Sequence, residues 1–367
     1  MNVREERITI IGGGNGALAF AAFFGLSGRE TRLWEFPEFQ RQLDWIYQHQ
    51  QIQATGKLEG TCRIQCLESL EKALEGATII MVVVPAFVHR RVAEEISAFL
   101  EEDSIVVINP GRTGGALEVA AALDKRGKHN PVVEVQSLLF ACRRCGEKEI
   151  HFNGIKNSLR VGVFPAKMTR QVMARLNPIL PQFCAAPDIL TTSFGNIGAV
   201  FHPAGAIQNI GLIESGRSFD FYTDAMTPGV VKIIEAIDRE RMKIAEAAGS
   251  DTFSAGTWLY EAYQIKAGSL YESLQNNPAY RGISGPADIR TRYITEDVPT
   301  GLVPMEAFAQ LFGVSTPTIS AIISLANGLI GEDYRRSGRN LEYLGIDGKT
   351  LPEIRSLIQN GFHRKNP

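Results

Sequence analysis

Along the first half of the chain, short unbroken apolar runs alternate with segments of helical period. The apolar runs are "ITII" at Ile8 to Ile11, "TRLWE" ending at Glu35, "CRIQC" at Cys62 to Cys66, "ATIIMVVVP" ending at Pro85, "SIVVINP" ending at Pro110 and "PVVEV" from Pro131. Two of these have a β-branched, unbroken character, the pattern of strands buried on both faces of a parallel sheet. After Asp188 the strand signals fade and amphipathic patterns take over. "VVKIIEAIDRERMKIAEAAG" (Val230 to Gly249) predicts one helix, and Met305 to Gly331 predicts two, broken at Gly313.

The first turn carries chemistry. Ile11 runs into Gly12, Gly13, Gly14, Asn15, Gly16 and Ala17, giving G-x-G-x-x-A at Gly12, Gly14 and Ala17. Gly12 suits a tight turn, Gly14 lets the backbone approach a pyrophosphate, and Ala17 lets the helix pack close to the strand. Free amides at the helix start, including those of Asn15 and Gly16, would hold the phosphates. The expectation is α/β: a Rossmann-like dinucleotide-binding domain over residues 1–187, followed by an all-helical C-terminal domain over 188–367.

Glu35 ends the second strand about twenty residues on, where an acid binds the ribose hydroxyls. It favours NAD over NADP, while Arg41 nearby keeps NADP open. The plain alternative for Glu35 is a solvated strand-end acid. In parallel sheets ligands sit beyond the carboxyl ends of the strands. That singles out Pro85-Ala86, the stretch "PGRTGG" (Pro110 to Gly115), and a loop after Val135 containing Cys142, Arg143 and Arg144. Pro85 is placed with the cofactor residues. An arginine in the third loop suits a substrate carboxylate, with an ordinary surface charge as the equal alternative. Cys142 and Cys145 form a lone CxxC without a second pair or histidines at metal spacing, so no metal site is expected.

Composition narrows the class. Lys plus Arg (38) nearly balances Asp plus Glu (40), which gives no electrostatic case for nucleic acid or an anionic membrane. Five scattered cysteines fit a reducing, cytoplasmic compartment better than a disulfide framework. Arg4 and Arg7 before an apolar stretch imitate a leader peptide, but Glu5, Glu6 and the glycine cluster interrupt that pattern. The apolar run Ala77 to Val88 is too short to span a bilayer.

One residue in the second half stands out. His202 is the only ionisable side chain between Ser193 and Glu214, within "GNIGAVFHPAGAIQNIGLIES". A core histidine with a satisfied hydrogen bond is the simple explanation; a proton-transfer residue in a cleft between the domains is the sharper one. Pro203 disfavours the α conformation at His202, so a helix start or break is expected there. A carboxylate on one ring nitrogen would fix the tautomer while the other handles a substrate proton. "RTRYITEDVPTGLVP" (Arg290 to Pro304), with little periodicity and two prolines, is expected to be an ordered loop. It offers Arg292, Glu296 and Asp297. Asp297 is the candidate partner, and Arg292 could hold a carboxylate in fork geometry.

These stretches together resemble the octopine/nopaline-type opine dehydrogenase family over nearly the whole chain. The matching motifs are "GGGNGALA", "FACR", "SFGNIGAVFHPAGAIQN", "TRYITEDVPTGLVP" and "GVSTPTISAIISLANGLIGEDYRRSGRNLEYLGI". The resemblance implies reversible, NAD(P)H-dependent reductive condensation of an α-keto acid such as pyruvate with the amino group of an amino acid. It implies His202 as general acid/base, Asp297 as its partner and Arg292 at the substrate site, with Cys142 and Arg143 bordering the amino-acid pocket. In one departure, Leu139-Phe140-Ala141 precedes Cys142 where family members often carry a proline and an aromatic residue.

Two rivals remain. Dehydrogenases of the 6-phosphogluconate, glycerol-3-phosphate and ketopantoate type depend on a lysine in the helical domain. The Gly195 to Gly211 stretch has none, so Lys232 or Lys243 would have to serve. A non-catalytic dinucleotide sensor is the other, although a sensor need not keep a proton relay. A homodimer through the C-terminal helices is compatible with the pattern but not demanded by it.

Overall fold

A computed structural model describes residues 6–265 and 268–362. Arg4 and Glu5, weighed above as part of a leader-like N-terminus, lie outside the described residues. The chain divides into two compact units. The first comprises the chain up to Gly111, Gly115–Thr192 and the chain from Ile354 on; the second comprises Arg112–Gly114 and Ser193–Glu353.

The first unit carries strands β1 (Ile8–Ile11), β2 (Thr31–Trp34), β3 (Gln51–Gly56), β4 (Gly60–Arg63), β5 (Gln65–Cys66) and β6 (Ile79–Val82). They are followed by β7 (Ile105–Ile108), β8 (Val132–Val135), β9 (Phe140–Cys145), β10 (Glu149–Ile155), β11 (Leu159–Phe164) and β12 (Phe183–Ala185). Eight strands form one sheet in the order β12-β11-β8-β7-β6-β1-β2-β5. All its pairs are parallel except β8 with β11. Every residue of β1, β6 and β7 is buried, which is why their sequences show no alternation.

A second sheet, β4-β3-β10-β9, was not expected. "CRIQC" is not one strand: it breaks at Ile64, β4 pairing in the small sheet and β5 in the large one. Cys62, Ile64 and Cys66 all point inward, so the alternation continues while the hydrogen-bonding partner changes. The stretch after Val135 is likewise not a loop at Cys142 and Arg143 but strand β9, paired antiparallel with β10. Its outer face is arginine- and cysteine-rich, which hid its period. Phe140 anchors it, with ring centroids 4.7 Å from Phe20 and 5.3 Å from Phe152. The helix Asn15–Leu26 packs against strands of both sheets. Its Gly25 permits this closeness, since a Cβ there would stand 2.8 Å from Cys62 Sγ.

The second unit is helical, with one isolated strand-like bridge between Asp220 and Ser284. The helix Pro228–Ala247 packs against Gly198–Gln208, Val303–Phe312 and Pro317–Ile330. The last two separate at Gly313 (φ +69°), as the pattern predicts. Arg241, fully buried on the long helix, bonds to Asp238 and to the carbonyls of Phe194 and Phe253.

Two local expectations are corrected here. His202 and Pro203 lie inside the helix Gly198–Gln208, not at its start or at a break. The proline forfeits the bond to the Ala199 carbonyl, and burial of Ala199, Val200, Phe201, Ala204, Ala206 and Ile207 offsets that loss. Arg290 to Pro304 is not a loop either: Arg292–Thr295 is a helical turn, and Val298–Leu302 is a wide π-type turn running into Val303–Phe312. A wide turn accommodates the prolines that erased the helical signal. Among the described residues no helix is long and apolar enough to cross a membrane, and no cluster of three or more His, Cys, Asp or Glu side chains could hold a metal.

Candidate active site

The glycine-rich loop lies at the carboxyl end of β1. Gly12 has φ +122°, and a Cβ there would sit 2.5 Å from the Val83 carbonyl oxygen, so this position requires glycine. Gly14 precedes the helix Asn15–Leu26 without a side-chain cap, and a Cβ on it would meet nothing within 4 Å. The helix starts with no acidic residue in its first turn. Uncapped amides facing open space suit a pyrophosphate. Gly16 lies against Val83 and Leu138, and Ala17 is fully buried where the helix meets the sheet.

Glu35, nearly buried, accepts 2.8 Å from the Phe36 amide and also takes a hydrogen bond from Gly13. Burial pushes its carboxyl up from the ordinary value, partly opposed by those two amides. Pro85, half-buried, opens the turn Ala86–Val88 after β6. These residues fit a nicotinamide dinucleotide: a backbone cradle for the phosphates and an acid at the end of β2.

Asn15 does a different job from a phosphate ligand. Its side chain accepts from the Arg144 amide at 3.1 Å, and its carbonyl accepts from Cys142 Sγ at 3.5 Å. Cys142 therefore borders the glycine-rich loop, and burial pushes its thiol up to about 11. Arg143 lies on the opposite, exposed face of β9, so the strand does not bring it to Cys142. A cavity of about 620 Å³ in this unit, lined by Ile105, Pro131 and Phe164 among others, lies at the other end of the sheet. None of the candidate residues lines it.

In the second unit, His202 and Asp297 meet. His202 Nδ1 is 2.8 Å from Asp297 Oδ2, and Nε2 is 2.9 Å from the Tyr222 hydroxyl. The Tyr293 ring stacks on the imidazole at 4.3 Å. Asp297 is 1% exposed; burial opposes its charge, yet Arg112 and then His202 outweigh this and hold the carboxyl below its ordinary range. Arg112 Nη1 lies 3.0 Å from Asp297 Oδ1, an ion pair that is not a well-directed hydrogen bond. Arg112 Nε lies 3.6 Å from Glu296 Oε1, and Arg292 Nε bonds Glu296 Oε2 at 2.6 Å. The charges alternate along Arg292, Glu296, Arg112 and Asp297, and the row ends on the His202 ring.

The arginine in this chain comes from a loop the pattern singled out, although its partner could not be read there. Arg112 adopts a left-handed conformation (φ +62°), which costs a non-glycine residue about 1 kcal/mol. The loop is held by its neighbours: Thr113 donates through its amide to Thr300 and through its hydroxyl to Ser193, while Arg339 donates to the Thr113 carbonyl. The Gly114 amide donates to Ser193 Oγ at 3.0 Å. A Cβ at Gly198 would come 2.6 Å from Arg112 Nη1, so the glycine gives the guanidinium its room.

A cavity of about 390 Å³ is lined by Arg112, His202, Ser284, Pro286, Thr291, Arg292, Tyr293, Glu296 and Asp297. Arg292 is 62% exposed on it and forms an ion pair with Glu296. Lys232 and Lys243 are exposed on the long helix and do not line the cavity. Arg112, Tyr222 and Tyr293 are the residues sequence reasoning missed. The first had a loop signal only, and the two tyrosines had none.

Comparison with known proteins agrees with both halves. Residues 7–111 match the family model for the NAD-dependent glycerol-3-phosphate dehydrogenase N-terminus. Residues 185–330 match that for the NAD/NADP octopine/nopaline dehydrogenase alpha-helical domain. An opine dehydrogenase of Arthrobacter sp. (strain 1C) is 36% identical over 97% of this chain and 100% of its own length. An octopine dehydrogenase solved with NADH and agmatine superposes with a TM-score of 0.81 at 20% identity, covering 99% of this chain and 100% of its own. A ketopantoate reductase from Ralstonia eutropha JMP134 shares the fold more distantly, with a TM-score of 0.59 at 14% identity over 90% of this chain and 99% of its own. The chain belongs to the opine dehydrogenase family, nicotinamide-dependent oxidoreductases that act on a CH–NH bond by reductively condensing an α-keto acid with an amino acid.

Proposed function

We propose that this chain condenses a small α-keto acid such as pyruvate with the amino group of an amino acid, with His202 as the proton-transfer residue and Asp297 as its orienter. Residues 1–187 bind the dinucleotide and residues 188–367 carry the substrate chemistry, with Arg112 added from the loop after β7. The observation that supports the reading best is the 2.8 Å pairing of His202 with Asp297 beside a cavity that also presents two arginines.

The chemistry needs each part. The amine adds to the keto carbon, and the carbinolamine oxygen must gain a proton to leave as water. His202 supplies that proton while Asp297, held ionised by Arg112, keeps the imidazole in one tautomer. Arg292, exposed on the cavity, anchors a substrate carboxylate. Cys142 and Arg143 stay in this proposal as the border of the amino-acid pocket, Cys142 from the face of β9 that meets the glycine-rich loop. When bound, the reduced cofactor supplies a hydride to the imine carbon. Gly12, Gly14, Asn15, Gly16, Ala17, Glu35 and Pro85 are the residues proposed to hold it, Asn15 through its backbone rather than its side chain.

The test is NADH consumption with pyruvate against apolar, basic and acidic amino acids, in wild type and His202→Ala. Turnover that needs both substrates, reduced about 10²–10⁴-fold in the variant, is expected. Turnover near wild type in His202→Ala overturns the assignment, and NADH binding without turnover on any pair returns the sensor.

A further inference from the structure

Both nitrogens of His202 are occupied, and only one occupant belongs to the pairing described so far. We propose that Tyr222 relays the proton of His202. As Nε2–H gives its proton to the Tyr222 oxygen, the phenol passes its own O–H proton to the departing carbinolamine oxygen. The hydrogen bond to Nε2 thus reverses direction and the phenol stays neutral. This rests on the reading of His202 as the proton-transfer residue.

The argument starts at the other nitrogen. An ionised Asp297 can only accept, so Nδ1 carries its hydrogen in both protonation states of the ring. The proton that comes and goes is therefore on Nε2, the atom 2.9 Å from the Tyr222 oxygen. Neutral Nε2 needs a donor and charged Nε2–H needs an acceptor. A carboxylate or a backbone amide could serve only one of these states; a hydroxyl, donor and acceptor at once, serves both.

The surroundings keep that hydroxyl in place and in its neutral form. Tyr222 is 7% exposed and stacks on Tyr280 at 4.0 Å and 16°. Its neighbour Phe221 is fully buried and donates its amide to the Ile283 carbonyl at 2.8 Å. Gln275 Nε2 donates to the Tyr222 and Thr223 carbonyls. Burial holds the phenol well above its ordinary value, so it stays neutral. The ring stays fixed while the proton passes. The charged or titratable groups around His202 are Asp297 on Nδ1, Tyr222 on Nε2, Tyr293 on its face, and Arg112, Glu296 and Arg292 beyond Asp297.

Tyr222→Phe removes the oxygen and keeps the packed ring. The charged form of the imidazole loses the stronger, charge-assisted bond, so it is disfavoured more than the neutral form. In the reductive direction kcat falls about tenfold, and the alkaline limb of the kcat profile moves to lower pH by about half a unit to one unit. Tm, NADH binding by fluorescence and KM stay near wild type. Replacing Tyr222 with a fluorotyrosine keeps the fold and the oxygen, and the limb then shifts with the acidity of the phenol.

An alkaline limb that stays in place in Tyr222→Phe overturns the proposal. So does a lower KM with kcat kept or raised, which would make the hydroxyl a cap that substrate displaces. If His202→Ala is inactive while Tyr222→Phe matches wild type, only the role of Tyr222 fails; if both match wild type, the reading of His202 fails with it.

Discussion

In the loop after β1 the groups proposed to hold the dinucleotide are backbone amides, and what the side chains contribute is their absence: Gly12 has no room for a Cβ, and Gly14 leaves open space. Around His202 the groups proposed to act are side chains, gathered from the helix Gly198–Gln208, the Arg112 loop, the Tyr222 segment and Arg292 to Asp297. The loop has a short consecutive stretch to get right, and an error there is steric and local. The charged cluster couples its members, since Arg112 touches both Glu296 and the Asp297 carboxylate that binds the imidazole. Damage to the first should appear in cofactor binding, and damage to the second in turnover and its pH dependence.

Asp297→Asn should give the largest effect. Its amide can donate to Nδ1 and reverse the tautomer, and it leaves Arg112 with Glu296, at 3.6 Å, as its remaining buried counter-charge. A fall in kcat of about 10²–10⁴-fold is expected, with the NADH dissociation constant unchanged by fluorescence titration. A comparable loss of NADH affinity would mean that the two regions are not separable in this way.

Gly12→Ala probes the other region. The new methyl meets the Val83 carbonyl oxygen, and the backbone conformation is strained for any L side chain. NADH binding should weaken about 10–100-fold, the equivalent of roughly 1–3 kcal/mol. Turnover at saturating NADH should remain within a few-fold of wild type. A kcat loss that persists at saturation would show that the loop also sets the position of the reacting atoms.

How much of this the sequence revealed follows the same division. The turn from β1 into its helix could be read from Ile8 to Ala17 because contiguous residues build it and glycine spacing reports backbone geometry directly. His202 showed as the polar exception in its segment; Asp297 was one of several charged residues its segment offered, a candidate partner that the family resemblance then named. Arg112 sat in a loop marked for ligands, but nothing in "PGRTGG" says that its guanidinium meets a carboxylate 185 positions later. Tyr222 lies in "SFDFYTDAMTP", where one more aromatic residue has no period to mark it. Strand β9 was missed for a related reason: its pairing with β10, rather than an apolar rhythm, makes it a strand.

Arg112→Gln produces a smaller effect with a definite sign. Asp297 is buried, and burial alone would raise its carboxyl; the Arg112 charge is the largest influence holding it below the ordinary 3.8. Losing that charge lets burial dominate, so the carboxyl picks up a proton at higher pH and releases His202 Nδ1. The acid limb of kcat/KM should therefore move up by about 1–3 pH units. Stability follows the same sign. A carboxyl held low when folded adds stability above its unfolded value, and that stability is lost as pH falls through the folded value. In the variant, acid unfolding should begin at higher pH than in wild type. Arg112→Lys keeps the charge, and its limb should stay near wild type. A limb that moves equally in Lys and Gln would show that guanidinium geometry, rather than charge, holds Asp297, and the coupling attributed to the cluster would then be steric, as in the glycine loop.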